Sequence, residues 1–390
     1  MSHWQADMAT GEAVLANAKL VMADDVIVGS LKIKDGVIDA IDAGPSVSKG
    51  AVDLEGDFLI PGLIDLHTDN LEKHHQPRKG VFWDPVTSAI SHDAQVIAAG
   101  ITTVFDSLTL GAAAGWNSRN EMIEPMIGGL ADARRSGLLR ADHFLHLRCE
   151  VTHPEITSIV ESRIDHPLVR FMSLMDHAPG DRQSPDVERY RKFYLPAFDH
   201  DEAALDRHIK DLMTRSKTIG PGNRRSVAAL AEARTLPLAS HDDASMAHVE
   251  EAAEIGAAVT EFPTTVEAAA AARSLRLKIL MGAPNLIRGG SHSGNVAAGD
   301  LARYDHLDLF ASDYIPSSML SAAFRLTEEP FFWSLPRAIR SVTGAPAEAA
   351  GLDKERGSLA SGLMADLVRI DMVEKRPIVR SVWRQGKRVM

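Results

Sequence analysis

The 390-residue sequence predicts an α/β protein, with a parallel sheet of strand–helix units in the middle and a small sheet assembled from both ends. Three observations carry this. Short apolar runs alternate with helical patterns through the centre, strand-like segments with tight turns occupy both ends, and polar residues collect where the central strands finish.

At the N-terminal end, Leu31 and Ile33 precede Lys34-Asp35-Gly36, and Val37 and Ile38 follow, so an Asp-Gly turn between apolar strands predicts a hairpin. The C-terminal end repeats the texture, with strands over 365–370 and 378–383 and a turn at Gln385-Gly386. The small sheet domain is therefore expected from residues 1–56 and 351–390, bracketing a central unit over 57–350. Central strands are expected at 63–66, 101–105, 143–149, 169–175, 236–240, 257–261, 278–282 and 307–312. Between the second and third, Met122, Ile123, Met126, Ile127 and Leu130 keep helical spacing. Eight such units suit a closed (β/α)8 barrel, and a doubly wound open sheet has the same period. Residues 178–234 are too long for one connection; they form a candidate lid insertion, or an extra packing helix pair.

Composition removes several classes. With 45% hydrophobic residues the chain can build a core, and its single cysteine, Cys149, excludes an internal disulfide and points to the cytoplasm. A net charge of −11 argues against a nucleic-acid or anionic-membrane binder, and with no basic segment followed by an apolar run at Met1–Asp7 and no long apolar span, an unexported protein is expected.

Chemistry gathers at the strand ends. Leu63-Ile64-Asp65-Leu66 runs into His67-Thr68-Asp69-Asn70, Leu145-His146-Leu147-Arg148-Cys149 into Glu150, and Met172-Ser173-Leu174-Met175 into Asp176-His177. Leu238-Ala239-Ser240 runs into His241-Asp242-Asp243, and Leu309-Phe310-Ala311-Ser312 into Asp313. In a barrel these ends share one face, and imidazoles mixed with carboxylates are the donor set of zinc and related divalent ions. His67 and Asp69, two apart on a strand, leave the same face. Taken singly, each histidine also fits a structural role: Glu150 could pair with Arg148, and His177 and His241 could cap helices or support ligands from behind. Asp242 and Asp243 resemble the N-cap of a helix beginning near Ala244.

Basic groups lie in nearby loops. Lys73-His74-His75-Gln76-Pro77-Arg78-Lys79 follows the first strand, and Arg288-Gly289-Gly290-Ser291-His292-Ser293-Gly294-Asn295 follows the seventh. Flexible glycines and an arginine fork suit phosphate oxygens, so an anionic ligand is expected; a solvated charge run accounts for residues 73–79 equally well. Cys149, inside a strand, reads as buried core rather than nucleophile.

Pro61-Gly62-Leu63-Ile64-Asp65-Leu66-His67, Gly100-Ile101-Thr102-Thr103-Val104-Phe105-Asp106 and Gly357-Ser358-Leu359-Ala360-Ser361-Gly362 resemble the amidohydrolase superfamily. His67-Thr68-Asp69-Asn70 with His74, His92-Asp93-Ala94-Gln95, the run from His146 to Glu150, Asp176-His177, Ser240-His241-Asp242-Asp243, Arg288 and Ser312-Asp313-Tyr314 are similar to its PhnM type, the alpha-D-ribose 1-methylphosphonate 5-triphosphate diphosphatases of the carbon-phosphorus lyase pathway. The likeness runs from about residue 15 to the C-terminus. It implies a metal-dependent TIM-like (β/α)8 barrel with a small β-sheet domain from both termini. It further implies a hydrolase that releases pyrophosphate from a small triphosphate substrate.

On that resemblance His67, Asp69, Glu150, His177 and His241 would hold one or two divalent ions, zinc being expected, and Asp313 would orient the attacking water and accept its proton. From composition and position, Lys73, His74, Arg78, Arg148, Arg288 and His292 are candidates for gripping the polyphosphate. The chain has His67-Thr68-Asp69 where most of the superfamily has His-x-His, and no evident carboxylated lysine. Thr260-Glu261-Phe262-Pro263 stands where a second histidine is common, which leaves His177 and Glu261 as alternative ligands. The competing function is a carbon–nitrogen hydrolase on the same barrel, a cyclic amidase or deaminase; a non-catalytic assembly protein is the third reading. Barrels of this kind often form homo-oligomers, and no nucleic-acid or membrane partner is expected.

Overall fold

The computed structural model describes residues 11–44, 49–112, 117–291 and 293–390, so the candidate His292 lies outside the described residues. Eight parallel strands follow one another around a barrel: β1 (Leu63–Thr68), β2 (Ile101–Leu110), β3 (Asp142–Glu150), β4 (Val169–Met175), β5 (Leu238–His241), β6 (Val259–Glu261), β7 (Lys278–Gly282) and β8 (Leu309–Ala311). Each pairs with the next, and the ring closes where Thr68 meets Asp313. There the Asp313 N–H donates to the His67 carbonyl at 2.9 Å, and the Asp69 N–H to the Asp313 carbonyl at 2.7 Å. The barrel, rather than the open sheet, is thus the outcome.

Apolar residues of two kinds make the ring stable. Ile64, Leu66, Phe105, Phe171, Val259 and Leu280 fill its interior, while the outer faces of the strands bury against helices such as Pro85–Ala98 and Asn117–Arg135. Because both faces are covered, β1 and β2 are buried along their whole length, which accounts for their near-continuous apolar pattern. Polar side chains buried inside the barrel take hydrogen-bond partners there. His146, kept neutral chiefly by burial with a pKa of about 3, donates from Nδ1 to the Leu66 carbonyl and accepts at Nε2 from Ser173 Oγ.

The small sheet is drawn from both ends. The hairpin Val26–Lys34/Val37–Ala43 turns through Asp35 and Gly36, both at positive φ as a tight Asp-Gly turn requires. Phe58–Pro61 joins the halves, parallel to Glu12–Val21 and antiparallel to Leu367–Val373. Leu15, Leu31, Leu59, Leu367 and Trp383 form its core. Gly62 then passes Thr102 so closely that a Cβ would lie 2.1 Å from its hydroxyl, which accounts for the Pro61-Gly62 step into β1.

Residues 178–234 contain the helices Val187–Tyr194, Glu202–Thr218 and Gly220–Glu232. The first two enclose a small cluster of their own, Tyr190, Leu205 and Ile209, while the third packs on the barrel through Val227, Ala228 and Ala231.

Candidate active site

A cavity of about 750 Å³ opens at the C-terminal ends of the strands, where His67, Asp69, Glu150, His177, His241, Asp242 and Asp313 all reach its wall. Their placement follows from backbone turns. Asp242, Phe262 and Asp313, each just past the end of its strand, adopt left-handed φ values of 56°, 53° and 57°. Such conformations are costly for non-glycine residues and concentrate at functional sites; here they turn the chain at the barrel mouth.

Two three-residue groups result, His67/Asp69/Asp313 and His177/His241/Asp242, and Glu261 forms a third with His67 and His241, the ligand atoms of each lying within 4.8 Å of one another. Glu261, wholly buried, stands behind both: its carboxylate accepts from His67 Nδ1 at 3.2 Å and from His241 Nδ1 at 3.1 Å. Burial keeps both imidazoles neutral, with His67 at about 3 and His241 well below its usual value, and Arg148 adds to the effect. A neutral ring that donates from Nδ1 leaves its Nε2 lone pair free, the arrangement metal-binding histidines use. Glu150 accepts from the His177 Nδ1 at 2.7 Å, raising that ring's pKa against the effect of burial, while its other oxygen takes the Thr152 hydroxyl at 2.6 Å. It does not enter any of the three-residue groups.

Asp242 supplies the sharpest test of whether these residues suit a cation. Its Oδ2 is buried without a hydrogen-bond partner, 3.4 Å from His241 Nε2 and 3.9 Å from His177 Nε2, and burial pushes its pKa to about 7. An orphaned carboxylate oxygen facing two imidazole nitrogens fits a divalent ion with mixed nitrogen and oxygen ligands. The same face holds Asp313, whose carboxyl is raised to about 7, first by burial and then by the Asp69 charge.

Arg148 is the fixed cation of the centre. Its Nη1 donates to both oxygens of Asp69 at 2.8 and 3.0 Å, and its Nη2 lies 3.5 Å from His241 Nε2. Burial alone would raise the Asp69 carboxyl, but Arg148 holds it down at about 2. Arg148 is therefore engaged with a carboxylate rather than presented freely, and its partner is Asp69, not Glu150.

Among the other expected phosphate contacts, Lys73 and Arg288 line the cavity, Lys73 donating from Nζ to the Tyr314 carbonyl at 2.6 Å. The cavity wall does not include His74 or Arg78. The His74 Nε2 is spent on Gln95 at 2.9 Å, and Arg78 sits in an exposed turn bridged to Val81. Arg119 and Arg189 do line it and carried no sequence signal, since each is one charge in an ordinary helical pattern. Arg119 pairs with Glu72 at 3.0 Å, and Arg189 donates to the Ser293 carbonyl at 2.5 Å, joining the insertion to the glycine-rich loop. Asp242 and Asp243 do not cap the following helix; Ser245 caps Met246–Glu254, while Asp243 is taken by Arg182, Ser240 and Thr260.

No family model matches the sequence. The chain is 43% identical over 377 residues to the alpha-D-ribose 1-methylphosphonate 5-triphosphate diphosphatase of Escherichia coli strain K12, covering 96% of this chain and 100% of that protein. Among solved structures it resembles 5-methylcytosine deaminase from Klebsiella pneumoniae (TM-score 0.65, 15% identity, 97% of this chain and 98% of that one). It also resembles N-acetylglucosamine-6-phosphate deacetylase from Pasteurella multocida (TM-score 0.61, 15% identity, 97% and 99%). These two likenesses speak to the fold alone. With 43% identity to the E. coli enzyme over nearly the whole of both chains, the protein belongs to the family of alpha-D-ribose 1-methylphosphonate 5-triphosphate diphosphatases.

Proposed function

We propose that the protein is a metal-dependent diphosphatase that cleaves alpha-D-ribose 1-methylphosphonate 5-triphosphate, releasing pyrophosphate and leaving the 5-phosphate, in phosphonate catabolism. The observation that carries this, beside the 43% identity over nearly the whole chain, is that one cavity holds both the imidazole–carboxylate groups and a wall of basic side chains, Lys73, Arg189 and Arg288, with Arg119 and Arg148 paired to Glu72 and Asp69. A neutral amide or nucleobase has no use for that wall, which disfavours carbon–nitrogen hydrolysis.

His67, Asp69, His177, His241 and Asp242 would hold one or two ions, with Glu150 and Glu261 orienting the rings. Zinc suits this donor set. A divalent ion, when bound, supplies an acidified water and neutralises phosphoryl charge. The protein's own groups do the rest. Lys73, Arg288 and Arg189 grip the triphosphate and stabilise charge on the departing pyrophosphate, and Asp313 at the end of β8 accepts the proton of the attacking water. The insertion that carries Arg189 and Tyr190 to the cavity would act as its lid. No helix among the described residues is long and apolar enough to cross a membrane, and a single cysteine supports a cytoplasmic enzyme.

The test is to incubate zinc-loaded protein with the ribose triphosphate, and in parallel with cyclic amides, assaying pyrophosphate and ammonia. Pyrophosphate release that a chelator stops is expected; ammonia without pyrophosphate would overturn the substrate assignment.

A further inference from the structure

The motif His92-Asp93-Ala94-Gln95 lies outside the cavity, on the helix Pro85–Ala98, where His92 and Asp93 are wholly buried and Gln95 is exposed. His92 and Gln95 join a hydrogen-bonded line that runs through Asp106 to His143, with Asp93 beside its far end. The Asp93 carboxylate accepts from the backbone N–H groups of Arg140 and Ala141, both at 2.8 Å, and faces His143 Nε2 at 3.5 Å. His143 Nδ1 donates to Asp106 Oδ2 at 2.7 Å, and His92 Nε2 donates to Asp106 Oδ1 at 2.7 Å. The remaining His92 nitrogen, Nδ1, accepts from Asn70 Nδ2 at 3.1 Å, and the same amide donates to Gln95 Oε1 at 2.8 Å. Gln95 Oε1 also takes His74 Nε2 at 2.9 Å.

The two ends of this line differ. One is His143, near the start of β3, beside Asp93, which holds the backbone just before that strand. The other grips Asn70 and His74, the first and fifth residues of the six-residue helix Asn70–His75. That helix follows Asp69 directly and carries Glu72 and Lys73, all three lining the cavity. Asp69 does not cap it, so nothing from its own side chain fixes the helix start. We propose that His92 and Asp106, acting through Asn70, are positioning residues that set the helix Asn70–His75 and so hold Asp69 and Lys73 in register with the strand-end cluster. The direction of each bond supports this. Asp106 stays ionised at about 2, burial opposing this and His143 and His92 enforcing it. His143 is kept protonated, since Asp106 and Asp93 outweigh burial and raise it to about 9. His92 is depressed, chiefly by burial, and therefore neutral. A neutral ring that donates to Asp106 can only accept from Asn70, so the line specifies one orientation of the Asn70 amide. Buried polar networks of this kind contribute uniqueness of geometry more than stability.

The inference rests on the cavity being the hydrolytic centre, and the test separates the two. Three variants of the zinc-loaded full chain are compared: His92→Phe, His92→Gln and Asn70→Ala. Glutamine can donate to Asp106 and accept from Asn70 as the imidazole does; phenylalanine can do neither. Asn70→Ala cuts only the last link and leaves the buried ion pairs intact. The readouts are kcat and KM for pyrophosphate release and hydrogen exchange of the peptide spanning residues 70–75. His92→Phe and Asn70→Ala should lose about tenfold or more in kcat and exchange faster there, while His92→Gln stays within about threefold of the parent, the loss matching one hydrogen bond. Equal damage from His92→Gln and His92→Phe, or an Asn70→Ala protein with parental exchange and kcat, overturns the positioning role. If the parent itself releases no pyrophosphate, the reaction assignment fails, and the exchange data still decide the relay.

Discussion

Glu261 offers the most direct test of how the centre is built. Its carboxylate, with no exposed surface, is the single acceptor for Nδ1 of both His67 and His241, at 3.2 and 3.1 Å. In Glu261→Gln the side-chain shape is kept, but one oxygen becomes an NH2 group. One imidazole retains its acceptor; the other faces a donor, and its ring either turns or changes tautomer, withdrawing the Nε2 lone pair from the cavity. The loss is that of one charge-assisted hydrogen bond, about 1.5–3 kcal/mol, or roughly 10- to 150-fold in an equilibrium constant. Removal of such outer partners commonly costs about 10–100-fold in metal affinity, which agrees. Zinc Kd is measured by competition with a chromophoric chelator, and thermal unfolding of the metal-free proteins separates weak binding from poor folding. A Glu261→Gln protein with parental Tm and a Kd within about threefold of the parent would show that the two histidines are not oriented from behind, and the reasoning fails.

Other outcomes follow from the same geometry. Asp313→Asn should lower kcat by about 10²- to 10⁴-fold while metal content, read by atomic emission, stays near the parent's; loss of metal instead would make Asp313 a ligand. Arg288→Ala, at an exposed position on the cavity wall, should lower kcat/KM about tenfold or more, with both a raised KM and a reduced kcat, as expected for a group that grips the triphosphate and stabilises the leaving pyrophosphate, and a parental kcat/KM would contradict that role. His143, raised to about 9, contributes stability that is complete below its unfolded value of 6.5 and is lost as pH rises through 9, on the order of 3 kcal/mol. Denaturant unfolding at pH 6.5 and pH 9.5 should show that drop in the parent and not in His143→Gln; identical pH slopes would refute it.

Much of the architecture was legible because it is written in local patterns. The alternation of apolar runs with helical spacing located all eight barrel strands, and the Asp35-Gly36 and Gln385-Gly386 turns announced hairpins because only a few residues tolerate the φ values those turns need. His67, His241 and Asp313 were legible too, since a polar residue that interrupts an apolar run at the end of a barrel strand falls at the barrel mouth, where catalytic groups gather. Arg119 and Arg189 were not, because a single charge on a helix looks the same in sequence whether it faces solvent or a cavity, and Asp242, at the end of its strand, carries the pattern of a helix N-cap as well as that of a ligand.

What the sequence alone determined, then, is the set of elements and the chemistry available at their ends. Tertiary structure decided partnership. Arg148 meets Asp69 across 79 positions and Glu261 meets His67 across 194, separations over which no periodicity carries information. His74, one residue from Lys73, is turned away to Gln95 while Lys73 faces the cavity, a difference set by helix rotation against the helix Pro85–Ala98. Ring closure between β1 and β8 likewise depends on shear and twist accumulated over the whole barrel, quantities that exist only once every strand has its neighbour.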